Sequence, residues 1–301
     1  MMTDRRFFPT QRKSAIITVT FNRVPNLKIL QQAAETADYI IICDNGSDSQ
    51  TIAQLVNFCN WNPKFILLRN NANMGTSRAY NKAVAFARQL GVFWLCFFDD
   101  DAQFDPSWLR MAMNLWHDLE ELGLPVGILV PIVSNDPHYL HSTLGLSSGY
   151  SLVSSAITSG LFTNAKVFDR GYNPEFFLDW ADIEFTWRVR QNGYLIIRLN
   201  KVMIIQDFGL RLPDDRFRNR LINAYSKLVT LSNLKRNRGN LFTTSYSIYM
   251  VHRRKENLKA GRRFFFQRMG AAKILWPFYL IQNTAIFWFT RKEAMLYDHG
   301  R

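Results

Sequence analysis

No stretch of this 301-residue chain is an apolar run of the roughly 20 residues that a membrane-spanning helix needs. The nearest approach, residues 274–290, is 17 residues between Lys273 and Arg291. Pro277 lies near its start, and Gln282, Asn283 and Thr284 interrupt it midway. Cysteine is scarce. Cys43, Cys59 and Cys96 have no C-x-x-C spacing, which excludes a zinc ribbon or a disulfide framework. Cys43 and Cys96 fall in apolar strand-like runs and read as inert core thiols of a reducing compartment. The N-terminal MMTDRRFFPTQRKS has no apolar signal core, which argues against secretion. There is no G-x-G-x-x-G, no P-loop, and no repeat at solenoid spacing.

Acidic residues are missing from one region in particular. Residues 1–200 hold 17 Lys and Arg against 18 Asp and Glu, whereas residues 201–301 hold 20 against 6. The net charge of +13 therefore lies entirely in the last third, which marks two units with different physical partners. Nucleic acid is one candidate for so basic a segment. No zinc-finger spacing, RNP motif or basic zipper is present to read it, and that role leaves the acidic features of the first part unexplained.

Apolar residues make up 48% of the chain, enough for a substantial core. The pattern of the first hundred residues alternates. AIITVTFNR (15–23), YIIICDNGS (39–47), KFILLRN (64–70) and VFWLCFF (92–98) read as buried strands. PNLKILQQAAET (25–36), QTIAQLVNFCN (50–60) and TSRAYNKAVAFARQLG (76–91) read as helices between them. Such alternation predicts an α/β fold: a mostly parallel sheet flanked by helices, with ligands at the carboxyl ends of the strands. Asn22, Asp44, Asn70, Asn71 and Asp99 to Asp101 all fall at those ends. Further on, residues 107–123 read as a helix and 126–133 as a strand. Residues 134–151, rich in Ser, Gly and His, read as a loop, and 156–199 as strand, turn, helix and strand.

Four stretches carry chemistry. In FFDDD, Asp99, Asp100 and Asp101 follow a strand directly. They form either a polar turn before the next helix or a site for Mg²⁺ or Mn²⁺, which carboxylate oxygens suit. In CDNGSDS, Asp44 either closes an Asx turn or accepts hydrogen bonds from a nucleobase or ribose. In RNNANMGTSRAYN, Gly75 precedes a helix, as a phosphate-facing turn or simply a tight one. In FFLDWADIEFTWRVRQNGY, Asp179, Asp182 and Glu184 surround a helix start. They either favour that terminus electrostatically or include a general base. Ile183 and Trp187 read as core.

Taken in order, AIITVTFNR, IICDNGS, NNANMGTSRAYN, FFDDD, an SG pair and FFLDWADIEFTWRVRQNGY resemble the family 2 glycosyltransferases of the GT-A fold. The similarity covers about residues 14–210 and is greatest to the bacterial rhamnosyl- and galactofuranosyl-transferase branch. It implies a catalytic domain over 14–210, with a nucleotide-sugar part at 14–105 and an acceptor part at 106–210. It further implies a UDP- or dTDP-linked donor, Mn²⁺ or Mg²⁺, inversion at the anomeric carbon, and Asp182 as base. Thr20, Asn22 and Asp44 would hold the nucleoside, and Gly75 and Asn81 would shape the donor pocket. Asp99, Asp100 and Asp101 would be the D-x-D motif, with Asp101 and Asp99 toward the metal and a metal-bound diphosphate between the carboxylates. Many relatives carry His after the last sheet strand, often near the metal. This chain has Gln206 there, beside Asp207, while His138 and His141 are further candidates. The acceptor expected from the resemblance is a lipid-linked saccharide of O-antigen, capsule or similar polysaccharide.

The remaining segment, 211–301, reads as a basic, mainly helical extension. It is either an interfacial element on an anionic membrane surface, at the inner face of the cell membrane, or a helix packed on the catalytic domain. A nucleotidyltransferase is the rival enzyme class. It needs a basic phosphate grip near the first strand, where only Arg23 is available.

Overall fold

The computed structural model describes residues 12–134, 142–145, 149–177 and 181–206. Expectations for Asp179, Asp207, His138, His141 and the whole of 211–301 lie outside the described residues.

The alternation becomes β1 (Lys13–Thr20), α1 (Leu27–Ala33), β2 (Tyr39–Asp44), α2 (Ser49–Cys59), β3 (Phe65–Arg69), α3 (Thr76–Gln89) and β4 (Val92–Asp99). The apolar strand runs are continuous because both faces are covered. In β1, Ala15, Ile17 and Val19 enter one core with Ala79, Ala83 and Ala87 of α3. Ile16 enters the opposite core with Leu30 of α1 and Leu55 of α2. Ile41 and Cys43 against Ile40 and Ile42 in β2, and Leu95 and Phe97 against Cys96 and Phe98 in β4, divide in the same way. Burying each Ile or Phe contributes about 1.5–3 kcal/mol, so one slip of register would forfeit both cores. The alanine spacing of α3 presents a smooth face to the sheet. Asn26 and Asp48 cap α1 and α2 by accepting from the amides of Ile29 (3.2 Å) and Thr51 (2.7 Å).

The second part comprises β5 (Gln103–Phe104), α4 (Trp108–Glu121), β6 (Val126–Ser134), β7 (Ser142–Gly145), β8 (Tyr150–Val153), β9 (Phe162–Asn164), α5 (Ala181–Gln191) and β10 (Leu195–Ile205). One sheet runs β3-β2-β1-β4-β9-β6-β10-β8-β7, with β5 paired to β10. Its first four strands and the β6–β10 pair are parallel, and the other pairings are antiparallel.

One expectation needs correction. Part of the segment expected as a loop over 134–151 is strand: β7 pairs with β8, and β8 pairs with β10 at the sheet's far edge. Edge strands with one solvated face need no continuous apolar run, so a Ser- and Gly-rich composition concealed them.

The connectivity positions the site. The chain winds from β1 outward to β3, then returns to place β4 on the other side of β1. That reversal opens a crevice at the carboxyl ends of β1 and β4, the place where sheets of this kind bind ligands. Val19 pairs with Asp99 and Thr20 with Asp44, so the predicted residues stand at one level.

Candidate active site

The aspartate triplet turns the chain from β4 into β5. The short β5 pairs antiparallel with the end of β10, Ile205 opposite Gln103 and Ile204 opposite Phe104. This pairing delivers Gln206 to the triplet from 105 residues further along the chain. Its Nε2 donates to Asp101 Oδ1 at 2.7 Å and to Asp99 Oδ2 at 3.1 Å. Gln206 is 5% exposed, and its Oε1 is buried without a hydrogen-bond partner.

Each carboxylate has further partners from the protein. Asp99 Oδ2 accepts from Ser159 Oγ at 2.7 Å, and Asp99 Oδ1 from the buried Tyr80 hydroxyl at 3.3 Å. Asp100 Oδ2 lies 3.0 Å from Thr20 Oγ1, a hydroxyl that also contacts the Arg23 carbonyl. Arg23 Nη1 sits 3.5 Å from Asp100 Oδ1 and 3.4 Å from Asp101 Oδ2. Burial pushes Asp100 up to about 6, with Arg23 and Thr20 opposing the rise. Burial, then its two neighbouring aspartates, pushes Asp101 up to about 7. Hydrogen bonds and one guanidinium already partner all three. Tyr80 and Ser159 had no assigned role from sequence, and Arg23 was named only as the basic residue near the first strand that a nucleotidyltransferase would need.

The residues expected to hold the nucleoside form a web of short polar side chains. Asp44 is fully buried and accepts from the Ser47 amide (3.1 Å) and the Gly46 amide (3.4 Å), the Asx turn that its surroundings allowed. Asn22 has φ of 53°. Its amide N–H donates to Ser47 Oγ at 2.8 Å, and its Oδ1 accepts from the Asp48 amide at 2.7 Å. The end of β1 is thus tied to the turn after β2.

Gly75 and Asn81, expected to help shape the donor pocket, each tie two parts of the chain together. Gly75 has φ of +87°, and a Cβ there would lie 2.7 Å from the Phe177 carbonyl oxygen. That close approach lets the Thr76 amide donate to the same carbonyl at 2.7 Å. The strand-to-helix turn before α3 thereby anchors the chain leading into α5. Asn81 spends its carboxamide on Tyr172, accepting from its amide at 2.8 Å and donating to its carbonyl at 2.7 Å.

Asp182 stands in the first turn of α5, half-buried. Its Oδ1 accepts from the Ile183 amide at 2.8 Å and its Oδ2 from the Thr158 amide at 3.2 Å. Thr158 and Tyr172 share a 3.3 Å hydroxyl contact, and the charges of Asp182 and Asp99 both help raise the Tyr172 phenol's pKa, behind burial. Glu184 instead pairs with Arg188 at 2.7 Å and is buried, which marks it as structural. Ile183 and Trp187 pack against the core as expected.

Among the described residues, no three His, Cys, Asp or Glu side chains converge as a metal-ligand set. The donor set nearest to one is Asp99, Asp101 and the orphaned Gln206 Oε1. Hard oxygens of this type suit Mg²⁺ or Mn²⁺ and disfavour softer cations. On that chemistry the residues fit the expected ion.

A mixed sheet with a parallel first half and carboxylates at its reversal point is the GT-A fold of glycosyltransferases. Residues 15–174 match the family model described as Glycosyl transferase family 2, and the chain belongs to that family. It is 21% identical over 209 residues to the dTDP-rhamnosyl transferase RfbF of Shigella flexneri, covering 64% of this chain and 68% of that one. The mannosyltransferase PcManGT from Pyrobaculum calidifontis, solved with GDP-Man and Mn²⁺, superposes with a TM-score of 0.52 at 14% identity, over 96% of this chain and 86% of that one. S. aureus TarS 1-349, solved with UDP, gives 0.51 at 14% identity, over 96% and 92%. The chain spans only 44% of GalNAc-T7 and 43% of a longer TarS chain. The likenesses to PcManGT and TarS 1-349 establish the fold. Among the described residues, no helix is long and apolar enough to cross a membrane.

Proposed function

We propose that this glycosyltransferase moves a hexose, rhamnose or galactofuranose in kind, from a UDP- or dTDP-linked donor to a hydroxyl of a lipid-linked saccharide, with inversion. The observation that carries this reading is the shared backbone segment 158–159. It ties Asp182 on one side and Asp99 on the other, so a base and an acidic donor site face one crevice.

Asp182 is the base. It takes the proton of the acceptor hydroxyl while that oxygen forms its bond to the anomeric carbon and the bond to the diphosphate oxygen breaks. A single displacement of this kind inverts the anomeric centre. The two hydrogen bonds from the Thr158 and Ile183 amides fix the carboxylate's direction before the acceptor arrives. Thr20, Asn22 and Asp44 form the nucleoside end. Asp99 and Asp101, with Gln206 Oε1, would hold Mn²⁺ or Mg²⁺, which neutralises charge on the leaving diphosphate when bound. The likeness to RfbF supports a deoxythymidine donor and a rhamnosyl group, and the basic residues 211–301 support an acceptor held at an anionic membrane surface.

The test is a panel of UDP- and dTDP-sugars incubated with the full chain, Mn²⁺ and a soluble saccharide analogue of the acceptor, with nucleoside diphosphate release and the configuration of the new glycosidic bond read by NMR. Release from one donor class with inverted product is expected. No release and no binding across the panel, with or without Mn²⁺, overturns the reading.

A further inference from the structure

In β4, Leu95 and Phe97 face the core that α3 covers, so Asp99, two residues on, continues along the same face. The buried positions of α3 are small or short, Ser77, Ala79, Ala83, Val84 and Ala87, apart from Tyr80. Tyr80 is buried, with its ring edge-on to Phe97 at 5.5 Å and to Tyr172 at 5.7 Å. Its hydroxyl stands over the end of the strand, 3.0 Å from the Phe98 carbonyl and 3.3 Å from Asp99 Oδ1. One phenol thus addresses the backbone and the side chain of consecutive residues.

Packing does not call for that oxygen. A phenylalanine would fill the same space, and a buried hydroxyl costs stability unless its hydrogen bonds are made. What the oxygen contributes is therefore its two contacts at the end of β4. Asp99 Oδ2 already takes two donors, Ser159 Oγ at 2.7 Å and Gln206 Nε2 at 3.1 Å. With Oδ2 pinned, Oδ1 can still swing about it, and Tyr80 is the donor that meets Oδ1. The helix carrying Tyr80 is itself fixed. Thr76 is tied to the Phe177 carbonyl, and Asn81, the residue after Tyr80, to the Tyr172 backbone by two bonds. An oxygen that accepts a hydrogen bond keeps a lone pair for a cation, so these donors orient the carboxylate without closing it. Carboxylates that ligate metals are commonly held in this way.

We propose that Tyr80 is a positioning residue: its hydroxyl fixes the plane of the Asp99 carboxylate, and through it the affinity of the site for a divalent cation. The inference rests on the metal reading above and adds α3 to the elements that build the site. Tyr172 supplies the contrast. It is a second buried phenol in the same core, but its hydroxyl meets Thr158 Oγ1 at 3.3 Å, on the side of Asp182. If the two hydroxyls mattered only as buried hydrogen bonds, deleting either would have the same effect.

The experiment titrates Mn²⁺ by EPR into the full chain as wild type, Tyr80→Phe, Tyr172→Phe and Asp99→Asn, below every melting transition. Each phenylalanine variant loses one oxygen and no ring atom, so the packing survives and Tm falls by about 2–4 °C in both. Tyr80→Phe should bind Mn²⁺ about tenfold more weakly, the scale on which partners of a ligating carboxylate act. Tyr172→Phe should stay within about twofold of wild type, because its hydroxyl does not touch Asp99. Asp99→Asn should lose more affinity than Tyr80→Phe does. Wild-type affinity in Tyr80→Phe, or an equal loss in both phenylalanine variants, overturns the proposal for Tyr80 and leaves the metal reading standing. Asp99→Asn protein that binds Mn²⁺ as wild type does removes Asp99 from the site, and the role of Tyr80 with it. Wild-type protein that binds no Mn²⁺ overturns the metal reading itself, and this inference falls too.

Discussion

Ser159 donates its hydroxyl to Asp99 Oδ2 at 2.7 Å, from a side chain with no solvent exposure at all. The residue before it, Thr158, donates its amide to Asp182. The residue after it, Gly160, has φ of +81°, and a Cβ there would meet Ile204 and Pro131. Only glycine lets this segment press into the sheet closely enough for Ser159 to reach Asp99. The acid assigned to the metal and the acid assigned to the proton are thus positioned by one rigid turn.

Asp182→Asn should leave donor affinity near wild type and lower kcat by about 10²–10⁴-fold, the range typical of a lost general base. The amide keeps an oxygen for one of the two backbone donors, Thr158 or Ile183, and cannot take a proton. Glu184→Gln is the comparison, because it weakens the bond to Arg188 inside the same helix. It should lower Tm with a far smaller effect on turnover. Calorimetric donor binding beside steady-state kinetics separates the two, and an Asp182→Asn enzyme with wild-type kcat removes Asp182 from the mechanism.

Gly75→Ala should act at a distance. A Cβ at this position meets the Phe177 carbonyl and ring, and φ of +87° strains any side chain. The cost should be about 1–3 kcal/mol of stability. Because residue 177 leads into α5, kcat should drop more than donor affinity does. Thermal melts and kinetics on the purified variant check both; unchanged stability would show that the 75–177 approach is not tight.

Much of this arrangement was legible in the chain beforehand, for a physical reason. β1 to β4 are buried on both faces, so their apolar runs are continuous, and the turns that follow them are the crevice. Asp44 and Asp99 to Asp101 could be located in this way, and Asp182 from the acidic residues around the start of α5. The partners could not. Gln206 was singled out only through the family resemblance, and it meets Asp101 through the two-residue β5 pairing with β10; Tyr80 meets Asp99 from the face of α3. Neither proximity leaves a periodic trace. The β7–β8 edge was hidden likewise, as was the pair of bonds between Asn81 and Tyr172.

The raised pKa values of Asp100 and Asp101 have a definite sign. Their ordinary value is 3.8, and folding raises them to about 6 and about 7. The folded state therefore holds these protons more tightly than the unfolded chain. Their contribution to stability is fully present below about pH 4 and is lost as pH rises through 6 and 7. In EDTA, Asp101→Asn should gain Tm relative to wild type as pH goes from 5 to 8. Mn²⁺ needs the carboxylates deprotonated, so its stabilisation of wild type should grow over the same interval and be absent in Asp101→Asn. Melting curves at several pH values decide it. A difference between the two proteins that does not vary with pH contradicts the assigned shifts.

The charge division of the chain gives the last test. Residues 201–301 carry 20 basic against 6 acidic residues, while residues 1–200 are nearly balanced. Each Lys or Arg near an anionic bilayer contributes about 1 kcal/mol, and this attraction weakens with salt. The aromatic residues within 274–290 add apolar insertion that salt does not remove. Full-length protein should pellet with vesicles containing phosphatidylglycerol, stay in the supernatant with neutral phosphatidylcholine, and be only partly released by 0.5 M salt, where the Debye length falls to roughly 4 Å. A basic segment acting by charge alone would release completely. A segment packed on the catalytic domain gives no pelleting even at low salt, and that result would remove the membrane surface from the proposed function while leaving the transferase chemistry intact.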